Sequence, residues 1–522
     1  MKKVIALLLC GVMAISALAG CGKKPNDNPN DNQQEDGEKY AKKIFFTMTS
    51  VASLNGNTDN YQEKEIYKYI ADKFNIETEV WASGWDICGE KESMWLNSGT
   101  MPDVMLWASF SFASYLNAID QGLIQALPDG WEEKWPNLAH LTEVSGVAEM
   151  LKVDGKTYAI PHSVFGNFYE CDPKVQHNVV YFRKDWAKQV GLAKLGENHK
   201  ITLAELKEYL ENVYAACLAS MSGIGAASGD MRMLFAHNAG VPAYQPFYKS
   251  ENGFVWTGNM DGVTSYIKTI QDWYKAGLID VDYYNQSATY YENAFKAGQI
   301  AAISAGAGAM NIETMRKGYS DNFAGKDAYE DVGLANLTAE DGTVYAAEEL
   351  NYWTTSVFSP EVDAETMERI LDVMDYVSSK EGQITTLTGV PNVHWKYDAD
   401  GNPVMIEGVE KAEGCDTFIL FGYCDDDYSY SGLRADLDVR NAKEAVELQQ
   451  LKMNGTVFKY SGKYDLHTSD AKTNYSVNIV NKVTEIVCDN LDVESEWSSF
   501  IENNKAMWEP LLKELNETYY GK

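Results

Sequence analysis

Residues 43–81 read KIFFTMTSVASLNGNTDNYQEKEIYKYIADKFNIETEVW, and this stretch decides the fold class. Its two ends, 43–49 and 76–81, are β-branched and aromatic runs typical of buried strands. The part between them carries one apolar stripe among Glu and Lys, at the four-residue spacing of a helix: Ile66, Ile70 and Phe74. Strand, helix and strand make a βαβ unit, whose right-handed crossover predicts parallel strands.

The alternation of helices and strands continues along the chain. A helix is predicted at 91–96, ended by Asn97-Ser98-Gly99, and a buried strand at 102–107. Further elements follow the same patterns: helices at 203–219, 263–274 and 364–378, and strands at 224–227 and 300–304. Strands alternating with helices indicate an α/β architecture. Because 522 residues exceed what one hydrophobic core supports, we expect two or more domains.

The first 20 residues have the pattern of a secretory signal peptide. Lys2 and Lys3 precede an apolar run at 4–18, shorter than the roughly 20 residues that a transmembrane helix needs. The run ends in Leu18-Ala19-Gly20-Cys21, which resembles a bacterial lipobox and implies cleavage before Cys21 and acylation of its thiol. Residues 21–40 are polar and predict a disordered tether. We therefore expect an extracellular body that a lipid holds at the cell membrane.

The composition excludes several classes of partner. Asp and Glu number 76 against 44 Lys and Arg, a net charge of -32, so neither nucleic acid nor an anionic lipid surface is expected as a partner. The 8 cysteines include no C-x-x-C pair and no zinc-ligand spacing, although export permits disulfides. We expect no metal and no cofactor. Cys217 lies in a helical pattern and is expected to be a buried thiol.

Five short segments together resemble one protein family. They are LNSGTMPDV at 96–104, DGKTYAIP at 154–161, WYKAGLI at 273–279, FKAGQIAA at 295–302 and KEGQ at 380–383. In order and spacing they are similar to the family 1 extracellular solute-binding proteins of ABC importers, in particular the long lipoprotein members that capture sugars.

The resemblance implies a two-lobe, periplasmic-binding-protein-like (type II) α/β fold with a hinge and a ligand cleft between the lobes. We expect an N-terminal lobe from 41–160 plus 298–352 and a C-terminal lobe from 161–297 plus 353–522. Hinge crossings are expected near Ile160-Pro161, near 295–299 and near Tyr352-Trp353. Pro161 fixes its own φ and favours an extended Ile160, which suits a strand leaving one lobe for the other.

A sugar site needs aromatic faces for C–H groups and polar side chains for hydroxyls. Aromatic and polar residues just past strand ends, the edge where α/β proteins bind ligands, are therefore the candidates. They are Trp81, Trp85, Trp107, Ser109, Phe110, His162, Phe165, Asn167, Asp230, Trp353, Trp395 and Tyr423. For each tryptophan, core packing is an equal alternative. A structural role is the alternative for His162, and a helix N-cap is the alternative for Asp230.

Two acidic segments have simpler interpretations than a metal site. The carboxylates at 425–427 lack the spaced oxygen ligands and the glycine of a calcium loop, and a solvated surface loop is the favoured interpretation. Residues 398–402 predict a hairpin turn.

Two functions compete at this stage. The first is a monomeric binding protein, not an enzyme, which captures an oligosaccharide unchanged and presents it to the membrane permease of an ABC transporter. The second is a surface-anchored glycoside hydrolase that uses acidic residues such as Glu170 and Asp172. The sequence contains no G-x-S-x-G, H-E-x-x-H or P-loop motif, which favours the first.

Overall fold

A computed structural model describes residues 39–54, 56–84, 87–164, 175–226, 231–243, 245–286, 288–410, 412–414, 417–418, 433 and 437–521. The chain divides into two compact units, residues 1–43 and 44–522, and the fold below is that of the second. Among the described residues, no helix combines the length and the apolar character needed to cross a bilayer.

The strands are short and are distributed along most of the chain. In chain order they are β1 (Ile44–Met48), β2 (Ile76–Val80), β3 (Val104–Trp107), β4 (Lys152–Val153), β5 (Lys156–Thr157), β6 (Ala159–Ser163), β7 (Asn178–Arg183), β8 (Lys200–Thr202), β9 (Ile224–Ala226), β10 (Phe247–Ser250), β11 (Gly253–Trp256), β12 (Ala302–Gly306), β13 (Val332–Thr338), β14 (Tyr345–Ala347), β15 (Tyr352–Phe358), β16 (Trp395–Tyr397), β17 (Pro403–Met405) and β18 (Thr456–Phe458).

Helices alternate with these strands, and six of them close the chain. They are α1 (Val51–Leu54), α2 (Glu65–Phe74), α3 (Cys88–Ser98), α4 (Phe112–Asp120), α5 (Trp131–Lys134), α6 (Pro136–Val144), α7 (Lys184–Gln189), α8 (Leu203–Ala215), α9 (Arg232–Phe235), α10 (Val263–Lys275), α11 (Ala288–Lys296), α12 (Ala309–Asn322), α13 (Ala328–Asp331), α14 (Ala364–Ser378), α15 (Lys380–Thr388), α16 (Val439–Met453), α17 (Lys463–Leu466), α18 (Asp470–Asn474), α19 (Ile479–Cys488), α20 (Val493–Asn503) and α21 (Lys505–Tyr520).

The βαβ unit predicted from residues 43–81 is confirmed. β1 and β2 pair in parallel along their whole length, from Ile44 opposite Ile76 to Met48 opposite Val80. The helix α2 between them buries Ile66, Ile70 and Phe74, the stripe that predicted it. Burying such a stripe against a sheet supplies most of the stability of a short helix, because isolated helices of this length are marginal in water.

Two five-stranded sheets organise the molecule. The first has the order β2-β1-β3-β15-β6 and the second the order β8-β13-β7-β12-β9. In the first sheet β1, β2 and β3 run parallel, and β15 runs antiparallel to both β3 and β6. In the second sheet β7 alone runs opposite to the other four strands. This is the α/β, two-lobe, periplasmic-binding-protein-like class expected from the sequence.

The sheet memberships correct part of the expected lobe division. β12 and β13 lie in the second sheet although 298–352 was assigned to the first lobe, and β15 lies in the first sheet although 353 onwards was assigned to the second. The helix α14 also packs on the first lobe, where Arg369 donates to the carbonyl oxygen of Phe74 over 2.5 Å. Local sequence patterns do not show which strands pair over a long sequence separation. The lobe boundaries expected at 298 and 353 therefore differ from those of the structure.

The last helices cover the second sheet. Val483 and Leu511 belong to the same buried cluster as Ile224 and Ile267, and Trp508 stacks on Trp256 at 4.7 Å with rings 5° from parallel. The helices α19 and α21 therefore pack on the second sheet. Leu466, in α17, packs instead against the first-lobe cluster of Tyr115 and Leu151.

Smaller predictions have mixed outcomes. The turn at 398–402 joins β16 and β17 as an antiparallel hairpin, with Asp398 Oδ1 accepting from the backbone N–H of Asp400 and of Asn402.

The prediction for Cys217 is wrong. The helix α8 ends at Ala215, and Cys217 is exposed with a left-handed φ of 53°, because the chain turns away from the core at that point.

Candidate functional site

Connections of the chain join one edge of the first sheet to one edge of the second. β6 ends and β15 begins at the edge where β1, β2 and β3 end; we call this the first carboxyl edge. β7 begins and β13 ends at the edge where β8, β9 and β12 end; we call this the second carboxyl edge. We call the connection from β6 to β7, at 164–177, the first crossing and the connection from β13 to β15, at 339–351, the second crossing; each joins one of these edges to the other. Since both crossings join one carboxyl edge to the other, these edges face a common space.

Aromatic side chains line the first carboxyl edge. Trp107, the last residue of β3, is 3% exposed and meets Phe110 edge-on at 5.5 Å. Phe110 is half-buried, as is Trp81, whose ring lies 5.6 Å from that of Trp95. The predicted edge location of Trp81, Trp107 and Phe110 agrees with the structure. Trp107 serves mainly as packing, and Phe110 and Trp81 keep partly accessible faces.

A buried carboxylate holds the loop that carries Phe110. Glu92, on α3, is 1% exposed, and its two oxygens accept the backbone N–H groups of Ala108 and Ser109 over 2.9 Å each and the Ser109 hydroxyl over 2.5 Å. Burial raises the pKa of Glu92, and these hydrogen bonds partly oppose the increase. Ser109 is thus committed to Glu92. Sequence reasoning missed Glu92, because a Glu on a short helix carries no distinguishing pattern.

Trp353 is the exposed tryptophan at the second crossing. Between Tyr352 and Thr355 the pairing of β15 with β6 shifts by one residue, so Trp353 lies in a β-bulge. A bulge bends its strand and redirects a side chain. Trp353 is 37% exposed, and its ring meets that of fully buried His162 edge-on at 5.8 Å.

His162 occupies a structural position behind this tryptophan. Its Nε2 lies 3.1 Å from the Ser356 hydroxyl, inside the first sheet. Nothing of its ring is exposed. Its role is to support Trp353 from behind, in agreement with the structural alternative considered from the sequence.

Trp395 lies elsewhere and is a core residue. It is 1% exposed, donates its indole N–H to the carbonyl oxygen of Gly389 over 2.7 Å, and meets Tyr397 edge-on. The core-packing alternative therefore describes it. Other candidates fall outside the described residues: Cys21, Trp85, Phe165, Asn167, Glu170, Asp172, Asp230, Tyr423 and 425–427.

A buried lysine binds the end of the first crossing to the second lobe. Lys452, in the last turn of α16, is 6% exposed and donates to the carbonyl oxygens of Gln176 and Asn178 over 2.6 Å each. Burial lowers the pKa of Lys452 to about 7, and the nearby Glu349 carboxylate partly opposes this. Burial likewise raises the pKa of Glu349. The two crossings also bridge each other, at Val175 and Glu348.

A small polar cavity of about 30 Å³ lies beside Lys452, large enough for a water molecule. His237 and Asn336 line it, and neither His237 Nε2 nor Asn336 Oδ1 has a protein hydrogen-bond partner. Sequence reasoning missed Lys452, because the carbonyl group of Gln176 that it binds lies 276 residues away in the chain. The expected crossing at 295–299 is wrong, since Phe295 packs in the core of the second sheet against Tyr181 at 6.3 Å.

The chemistry available along the first carboxyl edge is aromatic contact and hydrogen bonding. Across the parts of the chain that the structure describes, no group of three or more His, Cys, Asp or Glu side chains is arranged to hold a metal ion. Such a surface suits a polar ligand with apolar faces.

Comparisons with known proteins agree with this arrangement. The family described as "bacterial extracellular solute-binding protein" matches residues 58–384. No curated protein sequence matches the chain. Among solved structures, alginate-binding protein AlgQ2 is similar, with a TM-score of 0.66, 15% identity, and coverage of 91% of this chain and 98% of that one.

Two further solved structures are similar over nearly their whole length. The Streptococcus pneumoniae ABC-transporter substrate-binding protein FusA, in complex with kestose, has a TM-score of 0.66 and 15% identity, covering 92% of this chain and 99% of that one. An "HMO binding ABC-transporter associated Solute Binding Protein" from Bifidobacterium longum infantis is also similar. Its TM-score is 0.64 at 14% identity, covering 92% of this chain and 98% of that one. At such identities the likeness establishes the fold.

Proposed function

This chain belongs to the bacterial extracellular solute-binding proteins, and we propose that it captures an oligosaccharide between its two carboxyl edges without modifying it. One observation carries the proposal: the two crossings join these edges, and Trp353 is held half-exposed at one of them by a β-bulge. An aromatic face at such a position suits the C–H face of a sugar ring. The structural likeness to proteins described as binding kestose, alginate and human-milk oligosaccharides adds support.

In this proposal, Trp353, Phe110 and Trp81 contact the sugar, and Trp107 and His162 hold them in place. Closure of the lobes is a population shift whose extent is limited by the preference of the ligand for the closed form. The closed complex then presents the sugar to the membrane permease of an ABC transporter. We further propose that the protein is a monomer held by a lipid on Cys21 at the outer face of the cell membrane.

A panel of oligosaccharides tests the proposal. The purified protein is incubated with each sugar, and both its thermal unfolding and the release of reducing ends are followed. A binding protein is stabilised by its ligand, by about 2.7 kcal/mol at a ligand concentration of one hundred times Kd, and it releases no reducing ends. New reducing ends would instead indicate a glycoside hydrolase. The absence of stabilisation across the panel would contradict carbohydrate capture.

A further inference from the structure

A second group of exposed aromatic residues lies beside β9, the last strand in the order of the second sheet. Ile279 bridges Ile224 in parallel, and the Leu278 carbonyl oxygen accepts from the N–H of Ile224 over 2.9 Å. Residues 278–279 therefore extend the sheet beside β9 and run in the same direction. It follows that the chain from Asp280 to Asn285 leaves the sheet at the second carboxyl edge.

The helix α11 begins at the same edge. Tyr291 packs directly over Gly225 in the middle of β9, so closely that a Cβ at Gly225 would lie 2.3 Å from the ring. Tyr290, one residue nearer the start of α11, contacts the ring of Tyr291. From there α11 runs back to the start of β12.

Each exposed tyrosine is mounted on a buried one. Tyr284 is 45% exposed and meets the buried Tyr283 edge-on at 5.6 Å, and Tyr290 is 40% exposed and meets the buried Tyr291 edge-on at 5.1 Å. Val281, two residues before the first pair, is 59% exposed. Large aromatic side chains exposed together and bordered by polar groups mark interaction sites more often than ordinary surface.

Two carboxylates, those of Asp280 and Asp282, lie near the buried ring of Tyr291. Asp280 accepts from the Tyr291 hydroxyl and from the backbone N–H of Asp282, each over 3.0 Å. The Tyr274 hydroxyl donates to the carbonyl oxygen of Val281 over 3.1 Å, which fixes this turn. Burial is the main cause that raises the pKa of Tyr274 and of Tyr291, and the negative charge of the nearby Asp282 adds a smaller contribution to both.

We propose that Tyr284 and Tyr290, bordered by Asp280 and Asp282, form the second wall of the sugar site and select neutral over acidic oligosaccharides. This inference depends on the proposed function. The tyrosine rings supply faces for sugar C–H groups, and the carboxylates accept from sugar hydroxyls. A uronate would instead meet like charges at short range, within a protein of net charge -32.

The test measures binding by titration calorimetry with neutral probes and acidic probes. The neutral probes are cello-, xylo-, malto-, manno- and fructo-oligosaccharides and neutral milk oligosaccharides; the acidic probes are oligogalacturonates and alginate oligomers. The variants are Tyr284→Ala and Tyr290→Ala, with Tyr284→Leu and Tyr290→Leu as replacements that keep contact with the buried rings if an alanine variant unfolds. Tyr214→Ala is the matched control, because Tyr214 is 51% exposed in the last turn of α8, towards the opposite edge of the second sheet.

We expect wild type to bind a neutral probe. Each variant at Tyr284 or Tyr290 should raise the Kd for that probe roughly tenfold. Tyr214→Ala should keep the Kd within twofold of the wild-type value. If wild type binds a neutral probe and both variants match it, the second wall is overturned and the proposed function stands. Preference for an acidic probe would overturn the selection for neutral sugars. If wild type binds no probe of either kind, the proposed function fails and this inference fails with it.

Discussion

The ammonium group of Lys452 donates to the carbonyl oxygen of Gln176 over 2.6 Å, although the two residues are separated by 276 positions in the chain. A second bond of the same length reaches the carbonyl oxygen of Asn178. Through them, the last turn of α16 holds the start of β7 and the end of the first crossing. The end of this crossing is thereby fixed to the second lobe.

Replacing Lys452 should therefore destabilise the protein strongly. In Lys452→Met, two carbonyl oxygens lose their donor and Glu349 loses its positive neighbour, and we expect a loss of about 3 kcal/mol in the free energy of unfolding. Urea unfolding measures it. The matched control is Lys459→Met, since Lys459 pairs with Glu348 at the same crossing but is 61% exposed, and such pairs contribute at most about 1 kcal/mol. Equal losses in both variants would refute the role of Lys452.

Lys452 should also give the stability a specific pH dependence. Its pKa is about 7 in the folded protein, below its ordinary value of 10.5, so between these pH values the unfolded chain binds more protons. Stability should then rise from about pH 7 to about pH 10 relative to Lys452→Met, by at most about 1.4 kcal/mol per pH unit, and the difference should be constant below pH 7. Urea unfolding of both proteins across this range measures it. A difference that does not change with pH would contradict the buried, weakly basic lysine.

Glu92 should control sugar affinity without touching the sugar. Glu92→Gln keeps the size of the side chain but loses one of the two oxygens that hold the loop of Ser109 and Phe110, and we expect about 1–3 kcal/mol of lost stability. Affinity for the bound oligosaccharide should fall as well, because Phe110 is no longer held in place. Glu90→Gln, an exposed neighbour on the same helix, is the control and should change neither. Calorimetry measures the change in affinity, and urea unfolding measures the change in stability. Unchanged affinity in Glu92→Gln would contradict a role of Glu92 in positioning Phe110.

Trp353 and Trp395 should respond in opposite ways to alanine substitution. Trp353→Ala removes a 37% exposed ring and should weaken sugar binding roughly tenfold or more with little change in unfolding. Trp395→Ala empties a core position and should cost about 3–5 kcal/mol of stability. Binding by the fraction of Trp395→Ala that remains folded should be close to wild type. The reverse pattern would place the sugar at Trp395 and contradict the cleft between the edges.

Local patterns were sufficient where one element decides its own structure. The stripe of Ile66, Ile70 and Phe74 predicted α2, because a helix with one apolar face has a single way to bury it. The turn at 398–402 was predicted from its Asp and Gly, which accept the geometry of a hairpin. Trp81, Trp107 and Phe110 lie at the carboxyl edge of the first sheet, because the position of a residue at the end of a strand fixes the edge at which it lies.

The exposure of those side chains was beyond local reasoning. Trp353 and Trp395 each lie at or near the start of a strand, yet one is half-exposed in a bulge and the other is the centre of a small core. The bulge depends on the pairing of β15 with β6, strands that are almost 200 residues apart. Glu92 and Lys452 were missed for the same reason, since their partners are brought to them by the fold.

The sequence by itself determined the α/β class, the parallel βαβ beginning, and the family, because these depend on apolar periodicity and on short motifs in order. Tertiary structure alone decided which strands share a sheet, which aromatic rings remain accessible, and that a buried lysine holds the hinge. The physical reason is that burial and pairing are properties of what lies opposite a residue, and in this chain the opposite side is commonly hundreds of residues away.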